Sequence, residues 1–166
     1  MNPGAPDDAR GSQSSIGTMP GMVDSRSMDW EPLIEVAQTA RQRAYAPYSG
    51  FEVGAAVRTK DGHILGGCNV ENRSFGATIC AERVAVGCAA AAGNPLLEAL
   101  VVISDTDPPA SPCGMCLQVL MEFGGPDLPI LLLNPRGDRQ QYRLRDLHPH
   151  PFELPSQGLG KHAKKS

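Results

Sequence analysis

The sequence lacks an excess of positive charge. Lys and Arg together number 15 among 166 residues, Asp and Glu number 18, and the formal net charge is −3. A long nucleic acid is held mainly by a field of Lys and Arg side chains, and this balance of charge offers none. We therefore expect no long nucleic acid among the partners of the protein.

The sequence also lacks a long hydrophobic run. No run approaches the ~20 apolar residues that a membrane-spanning helix needs, and the N-terminus does not show the charged-then-apolar pattern of a signal peptide. We therefore expect no membrane partner and a soluble, cytoplasmic protein. A length of 166 residues with 41% hydrophobic residues fits one folded domain.

The sequence also lacks the even number of cysteines that a set of disulfides needs. The chain has five, which are Cys68, Cys80, Cys88, Cys113 and Cys116. An odd number in a chain without a signal pattern argues against a disulfide framework. Metal binding or catalysis is the better interpretation of some of these thiols.

The composition changes along the chain. Residues 1–27 are rich in Gly, Ser, Pro and Asp and show no apolar periodicity, so we predict a disordered N-terminal extension. Residues 28–155 carry the hydrophobic patterns of one folded domain, and residues 156–166 are predicted to form a flexible tail.

The hydrophobic patterns predict an α/β fold. Apolar residues at helical spacing after Asp29 predict a helix that ends before Pro47, and Asp61-Gly62 predicts the turn of a β-hairpin. Further helices are predicted over 79–92 and 113–123, and further strands over 100–103, over 130–133 and near 141–144. A strand, a helix and a strand in sequence predict a parallel pair. The expected architecture is a three-layer α/β/α fold with a mixed sheet of about five strands, opened by a hairpin.

The strongest chemical signal is Cys80-Ala81-Glu82 followed by Pro112-Cys113-Gly114-Met115-Cys116. Both segments fall at predicted helix starts, where the helix dipole favours the thiolate form that zinc requires. Three thiolates would leave one tetrahedral position for water, the pattern of a catalytic zinc. Glu82 lies two residues from a ligand, where its carboxylate could contact that water as general base and acid.

A plainer interpretation applies to any single cysteine, which can simply be a small buried hydrophobic residue. We prefer that interpretation for Cys68 and Cys88. If either of them joined the cluster, the zinc site would have four sulfur ligands and would be structural. That alternative leaves the charge of Glu82 unexplained in an apolar helix.

The two segments match the three-cysteine variant of the zinc deaminase signature. Further motifs accompany it at residues 46–51 (APYSGF), 53–56 (VGAA), 69–72 (NVEN) and 146–149 (DLHP). Over residues 30–153 the chain resembles the cytidine deaminases of the small homotetrameric type, in the cytidine and deoxycytidylate deaminase family. The resemblance implies a cytidine deaminase-like fold and one Zn²⁺ per subunit. It implies a hydrolase of pyrimidine salvage, which converts cytidine and 2′-deoxycytidine to uridine and 2′-deoxyuridine and releases ammonia.

The resemblance also implies roles for individual residues. Cys80, Cys113 and Cys116 match the zinc ligands, Glu82 matches the proton shuttle, and Arg83 and Gln118 match groups near the zinc thiolates. Asn69 and Glu71 match the pair that binds the ribose 3′-hydroxyl, and Phe51 matches an aromatic beside the pyrimidine. The whole substrate-binding set is Phe51, Asn69, Val70, Glu71, Asn72, Arg73, Ser74, Phe75, Ala81 and Phe152. In this set Phe152 resembles an aromatic that enters a neighbouring subunit's site, which implies a homotetramer with composite active sites.

Two positions depart from the family pattern. Leu117 stands where many relatives carry a basic residue, and His148 stands where leucine is usual before the proline. Three other functions are open. Deamination of another aminopyrimidine, such as a nucleoside antibiotic, is less favoured because the Asn69-x-Glu71 pair suits an ordinary ribose. A zinc-stabilised binding module has no need of Glu82, and polynucleotide editing does not fit the net charge.

Overall fold

The computed structural model describes residues 28–154. The predicted extension 1–27 and tail 156–166 lie outside the described residues, as does residue 155. The helices are α1 (Glu31–Arg41), α2 (Ala81–Ala91), α3 (Gly114–Gly124) and α4 (Leu144–Leu147). The strands are β1 (Gly54–Thr59), β2 (Ile64–Cys68), β3 (Leu97–Ile103), β4 (Pro129–Leu133) and β5 (Arg139–Arg143).

The five strands form one mixed sheet in the order β2-β1-β3-β4-β5. β1 and β2 form the predicted hairpin, with Gly54 opposite Cys68. β3 and β4 are parallel, with Leu100 beside Ile130, and the other neighbouring strands are antiparallel. The predicted hairpin, parallel pair and mixed five-stranded sheet are therefore confirmed.

Helices cover both faces of the sheet. On one face α1 packs on Val101 and Ile103 of β3, and on the other α2 and α3 pack on Leu100 and Val102. A strand buried on both faces needs apolar residues at successive positions, which explains the continuous apolar run in β3. The predicted three-layer α/β/α architecture is confirmed. No helix within residues 28–154 is long and apolar enough to cross a membrane.

Two glycines let the helices lie close against the hairpin. A Cβ atom on Gly54 would overlap the backbone of α1 at Ala37, and one on Gly67 would overlap the backbone of α2 at Ala85. A side chain at Gly67 would push α2 away from β2 and displace the start of that helix. This contact helps to fix the position of Cys80, the residue before α2.

α1 ends at Arg41, before Pro47 as predicted, because the chain leaves the helix to pair with a distant loop. The Tyr45 N–H donates to the Asn69 carbonyl at 3.0 Å, and the Glu71 N–H donates to the Tyr45 carbonyl at 2.8 Å.

α2 begins at Ala81 rather than at Ile79. Ile79 exchanges two backbone hydrogen bonds with Val70, at 2.9 and 3.0 Å, so its backbone is extended and cannot start a helix. Cys80 consequently occupies the N-cap position, with φ −73° and ψ 154°.

Candidate active site

Three thiols converge where the N-termini of α2 and α3 meet. Cys80 and Cys113 are the N-cap residues of the two helices, and Cys116 lies in the first turn of α3. The Sγ atoms of Cys80 and Cys113 are 3.8 Å apart, those of Cys113 and Cys116 are 3.6 Å apart, and all three lie within 4.8 Å of one another. Tetrahedral zinc with Zn–S bonds of about 2.3 Å places its sulfur ligands about 3.8 Å apart. The cluster therefore fits a zinc ion held by three cysteines.

The surroundings favour a thiolate at Cys80. Hydrogen bonds from Cys116, Arg83 and Cys113 lower the pKa of the Cys80 thiol to about 5, although its partial burial acts in the opposite direction. The Arg83 guanidinium lies 3.9 Å from the Cys80 Sγ and also donates to the Thr78 carbonyl at 3.0 Å. A cation held beside the sulfur offsets part of the negative charge of a three-thiolate cluster.

Glu82 is a buried carboxyl group beside these thiols. It lies in the first turn of α2 and is only 5% exposed. Burial raises the pKa of the Glu82 carboxyl, and the negative charge of Cys80 raises it further. A carboxyl group with a raised pKa is a stronger base than an ordinary carboxylate, which suits it to accept a proton and return it as a general base and acid.

A cavity of about 230 Å³ opens onto this centre. Seven of the residues predicted from the sequence line it, namely Phe51, Asn69, Glu71, Cys80, Ala81, Glu82 and Cys113. The structure thus brings the predicted sugar-binding and base-binding residues to the same cavity as the thiols and the carboxyl group.

The cavity wall also contains five residues that the sequence analysis did not select, which are Val53, Thr78, Val102, Ala110 and Ser111. Ser111 directly precedes the Pro112-Cys113 motif, so its position along the chain was a usable signal. Val102 is one of several apolar residues in β3, and nothing in the sequence distinguishes it from its neighbours.

Asn69 and Glu71 are both bound to the loop of residues 48–53. The Asn69 side chain accepts a hydrogen bond from the Val53 N–H at 2.9 Å and donates one to the Phe51 carbonyl at 2.7 Å. Glu71 accepts hydrogen bonds from the Ser49 hydroxyl, the Tyr48 N–H at 2.8 Å and the Ser49 N–H at 3.2 Å. These bonds hold the pKa of the Glu71 carboxyl below its usual range. An amide N–H of Asn69 and carboxylate lone pairs of Glu71 remain available to a ligand.

The rest of the predicted nucleoside-binding loop lies at the surface. Val70 is 40% exposed, Phe75 is 78% exposed, and the remaining exposed side chains are those of Asn72, Arg73 and Ser74. The Phe75 ring packs edge-on against the Tyr48 ring, with 6.3 Å between centroids. These side chains lie outside the wall of the described cavity.

Gln118 and Phe152 are joined by two hydrogen bonds. The Gln118 amide donates to the Phe152 carbonyl at 3.0 Å, and its oxygen accepts from the Phe152 N–H at 2.9 Å. The His148 Nε2 lies 3.1 Å from the same oxygen. The Gln118 amide thus holds the segment that carries Phe152, and its role near the zinc thiolates stays a prediction. The Phe152 side chain itself is 70% exposed.

The two remaining cysteines lie apart from the cluster. Cys88 is exposed on α2, and the Cys68 thiol donates to the Arg43 carbonyl at 3.4 Å. Cys68 contributes instead to a separate cavity of about 500 Å³ between α1, β2 and α2. Within residues 28–154, the side chains close enough together to hold a metal ion are the thiols of Cys80, Cys113 and Cys116.

Comparisons with known proteins agree with this site. A family model described as the cytidine and deoxycytidylate deaminase zinc-binding region matches residues 28–132. The chain is 45% identical over 125 residues to the cytidine deaminase of Sporosarcina psychrophila, covering 75% of this chain and 92% of that protein. It is 44% identical over 125 residues to the cytidine deaminase of Halalkalibacterium halodurans, covering 75% and 95%.

Among solved structures, the cytidine deaminase from Burkholderia pseudomallei superposes with a TM-score of 0.72 at 47% sequence identity. The match covers 75% of this chain and all of that one. The family model spans more than half of the chain, and the relatives are matched over nearly their whole length. The chain therefore belongs to the cytidine and deoxycytidylate deaminase family.

Proposed function

We propose that this protein hydrolyses cytidine and 2′-deoxycytidine to uridine and 2′-deoxyuridine, with release of ammonia, in pyrimidine salvage. The observation that carries the proposal is one small cavity in which the buried Glu82 lies beside Cys80 and Cys113 of a zinc-sized thiol cluster. A carboxyl group at that position can act as the general base and acid of a hydrolysis. A purely structural zinc site does not need such a group.

The three cysteines would hold one zinc ion per chain. When bound, zinc lowers the pKa of a water molecule and so supplies the nucleophile for hydrolysis. Arg83 prepares the Cys80 sulfur for this role, because its hydrogen bond and positive charge favour the thiolate form.

Glu82 would carry the protons of the reaction. Its carboxylate accepts a proton from the attacking water and donates one to ring nitrogen N3 while oxygen adds to C4. It then accepts the remaining proton from the new C4 hydroxyl and delivers it to the departing amine, so that the C4–N bond breaks, ammonia leaves and the C4 oxygen becomes the carbonyl of uridine. The backbone N–H groups of Ala81 and Glu82 stand at the open start of α2, where they could orient the edge of the base.

The nucleoside would be held by cavity residues other than the cysteines and Glu82. Asn69 and Glu71 present an amide and a carboxylate that can bind the ribose 3′-hydroxyl, and Phe51 offers its ring to the pyrimidine. The resemblance adds Ala81 and the loop from Val70 to Phe75 to this set.

We also propose a homotetramer with composite active sites. The 70% exposed Phe152 side chain supports this proposal, because Gln118 fixes its backbone while the ring is left free to meet another subunit. We further propose that the protein is cytoplasmic, since the cysteines of the site are free thiols and the cytoplasm keeps thiols reduced.

The direct test incubates the purified protein with cytidine and quantifies the products. We expect uridine and ammonia in equal amounts, and no turnover after zinc is removed with a chelator. Unchanged cytidine in the presence of protein that holds one zinc per chain would contradict the proposal and would favour the binding-module alternative.

A further inference from the structure

The loop of residues 48–53 is fastened to the two polar residues that line the cavity. Its C-terminal half is held by Asn69, which binds the backbone of Phe51 and Val53. Its first two residues are held by Glu71, which binds the backbone of Tyr48 and the backbone and side chain of Ser49. The loop has neither helix nor strand within it, so these side-chain contacts replace the hydrogen bonds of regular structure.

Ser49 occupies the centre of this arrangement. Its hydroxyl donates to the Glu71 carboxylate and accepts from the Phe51 N–H at 3.0 Å, while its own N–H donates to Glu71 at 3.2 Å. One hydroxyl therefore joins the carboxylate on one part of the cavity wall to the backbone that carries the Phe51 ring. Ser49 itself is exposed and is not part of the cavity wall.

The connection matters because apolar packing fixes this loop only in part: the Phe51 side chain is 38% exposed and that of Tyr48 is 47% exposed. Ser49 adds the contact that ties the Phe51 backbone to Glu71. A loop that must be ordered when the ligand binds weakens the binding, whereas a loop that is already ordered does not.

We propose that Ser49 is a positioning residue for the nucleoside. Its hydroxyl holds the Glu71 carboxylate and the Phe51 backbone in one fixed arrangement, so that the sugar and the base meet a preformed site. This inference rests on the proposed function, since it takes Glu71 and Phe51 as the groups that contact sugar and base.

The test is the substitution Ser49→Ala, assayed with cytidine and with uridine as a binding ligand. We expect KM for cytidine and Kd for uridine each to rise about tenfold, because the change removes an interaction that serves binding before and during the reaction. We expect kcat to stay within about twofold and zinc to stay at one per chain, because Glu82 and the cysteines are untouched.

Two further variants distinguish the effect of losing the Ser49 hydroxyl from the effect of a general disturbance of the protein. Ser49→Thr keeps the hydroxyl and is expected to hold KM within about threefold of the wild-type value. Thr39→Val removes an exposed hydroxyl from α1, away from the site, and is expected to change neither KM nor kcat. If Ser49→Ala does not accumulate as folded protein, Ser49→Cys keeps the size of the side chain, weakens its hydrogen bonds and is expected to show the same KM effect.

The inference is overturned if Ser49→Ala leaves KM unchanged, if the loss falls on kcat, or if Ser49→Thr behaves like Ser49→Ala. Failure of the proposed function is distinct from all three, because it would appear as wild-type protein that does not deaminate cytidine. In that case uridine binding by the wild-type protein and Ser49→Ala still tests whether the hydroxyl orders the cavity.

Discussion

At the scale of single residues, the Glu71 carboxylate has two roles, one in holding a loop and one in binding substrate. Its carboxylate binds the loop at Tyr48 and Ser49, and we propose that it also binds the sugar. A substitution of Glu71 would disturb both contacts and could not separate them. A change in the substrate isolates the sugar contact, because the protein then stays as it is.

We therefore predict that 3′-deoxycytidine is a very poor substrate. Without the 3′-hydroxyl, Asn69 and Glu71 lose their ligand partner, and such sites discriminate against the missing group by up to ~10⁴-fold in kcat/KM. The measurement compares kcat/KM for cytidine, 2′-deoxycytidine and 3′-deoxycytidine. 2′-Deoxycytidine serves as the control and is expected to remain a good substrate, whereas equal turnover of cytidine and 3′-deoxycytidine would remove both residues from the sugar site.

At the scale of helices and strands, the metal centre depends on two helix starts that meet. Cys80 and Cys113 are the N-cap residues of α2 and α3, so each thiol lies at the positive end of a helix dipole. Zinc would connect these two helices, which otherwise belong to distant parts of the chain, and part of its binding free energy would stabilise the fold.

Cys113→Ala is accordingly predicted to lose zinc and to lower the melting temperature. Cys88→Ala is the matched control for zinc content, because Cys88 is a free, exposed cysteine on α2 outside the thiol cluster. Elemental analysis measures the zinc content of both variants, and thermal unfolding measures their melting temperatures. Full zinc content in Cys113→Ala, or loss of zinc from Cys88→Ala, would show that the ligands have been assigned wrongly.

Local signals account for the elements that the sequence predicts well. The Asp61-Gly62 turn and the continuous apolar run of β3 are determined by neighbouring residues, and both appear as expected. The motif around Cys80 and Glu82 is equally local, which is why its place at a helix start could be predicted.

The missed features arise from contacts between distant residues. The pairing of Val70 with Tyr45 and Ile79 sets the end of α1 and the start of α2, and no local sequence pattern predicts this pairing. The short helix α4 was also missed. Its start is held by the Asp146 carboxylate, which accepts from the Arg143 N–H at 2.8 Å, and four residues are too few to show a helical period. The pairing of Gln118 with Phe152 spans 34 positions and could not be predicted from local pattern.

At the scale of the whole molecule, α2 leaves a face of small side chains uncovered. Gly87, Cys88 and Ala91 are exposed in the single chain, and small residues allow close approach of another helix. Burial of this face between subunits fits the proposed tetramer, since closed symmetry is the usual outcome of such assembly.

We predict a mass near four chains in light scattering at micromolar protein. Phe152→Ala is expected to raise KM for cytidine while zinc stays bound, because the ring would belong to a neighbour's site. Leu154→Ala, which removes another exposed apolar side chain two residues away, is the control and is expected to leave KM unchanged. An active monomer in this measurement would refute the shared site.

The central claim is that Glu82 carries the protons of a zinc-dependent deamination, and Glu82→Gln tests it most directly. The amide keeps the size of the side chain but cannot accept and return a proton. Zinc content, melting temperature and the loss of the cytidine absorbance band are measured on the same preparations of wild type and variant. We predict one zinc per chain, an intact fold and a rate that falls by more than the ~10²–10⁴-fold of a single acid–base step, because one carboxylate serves several transfers. A Glu82→Gln variant that turns over cytidine at a rate near that of the wild type would contradict the account.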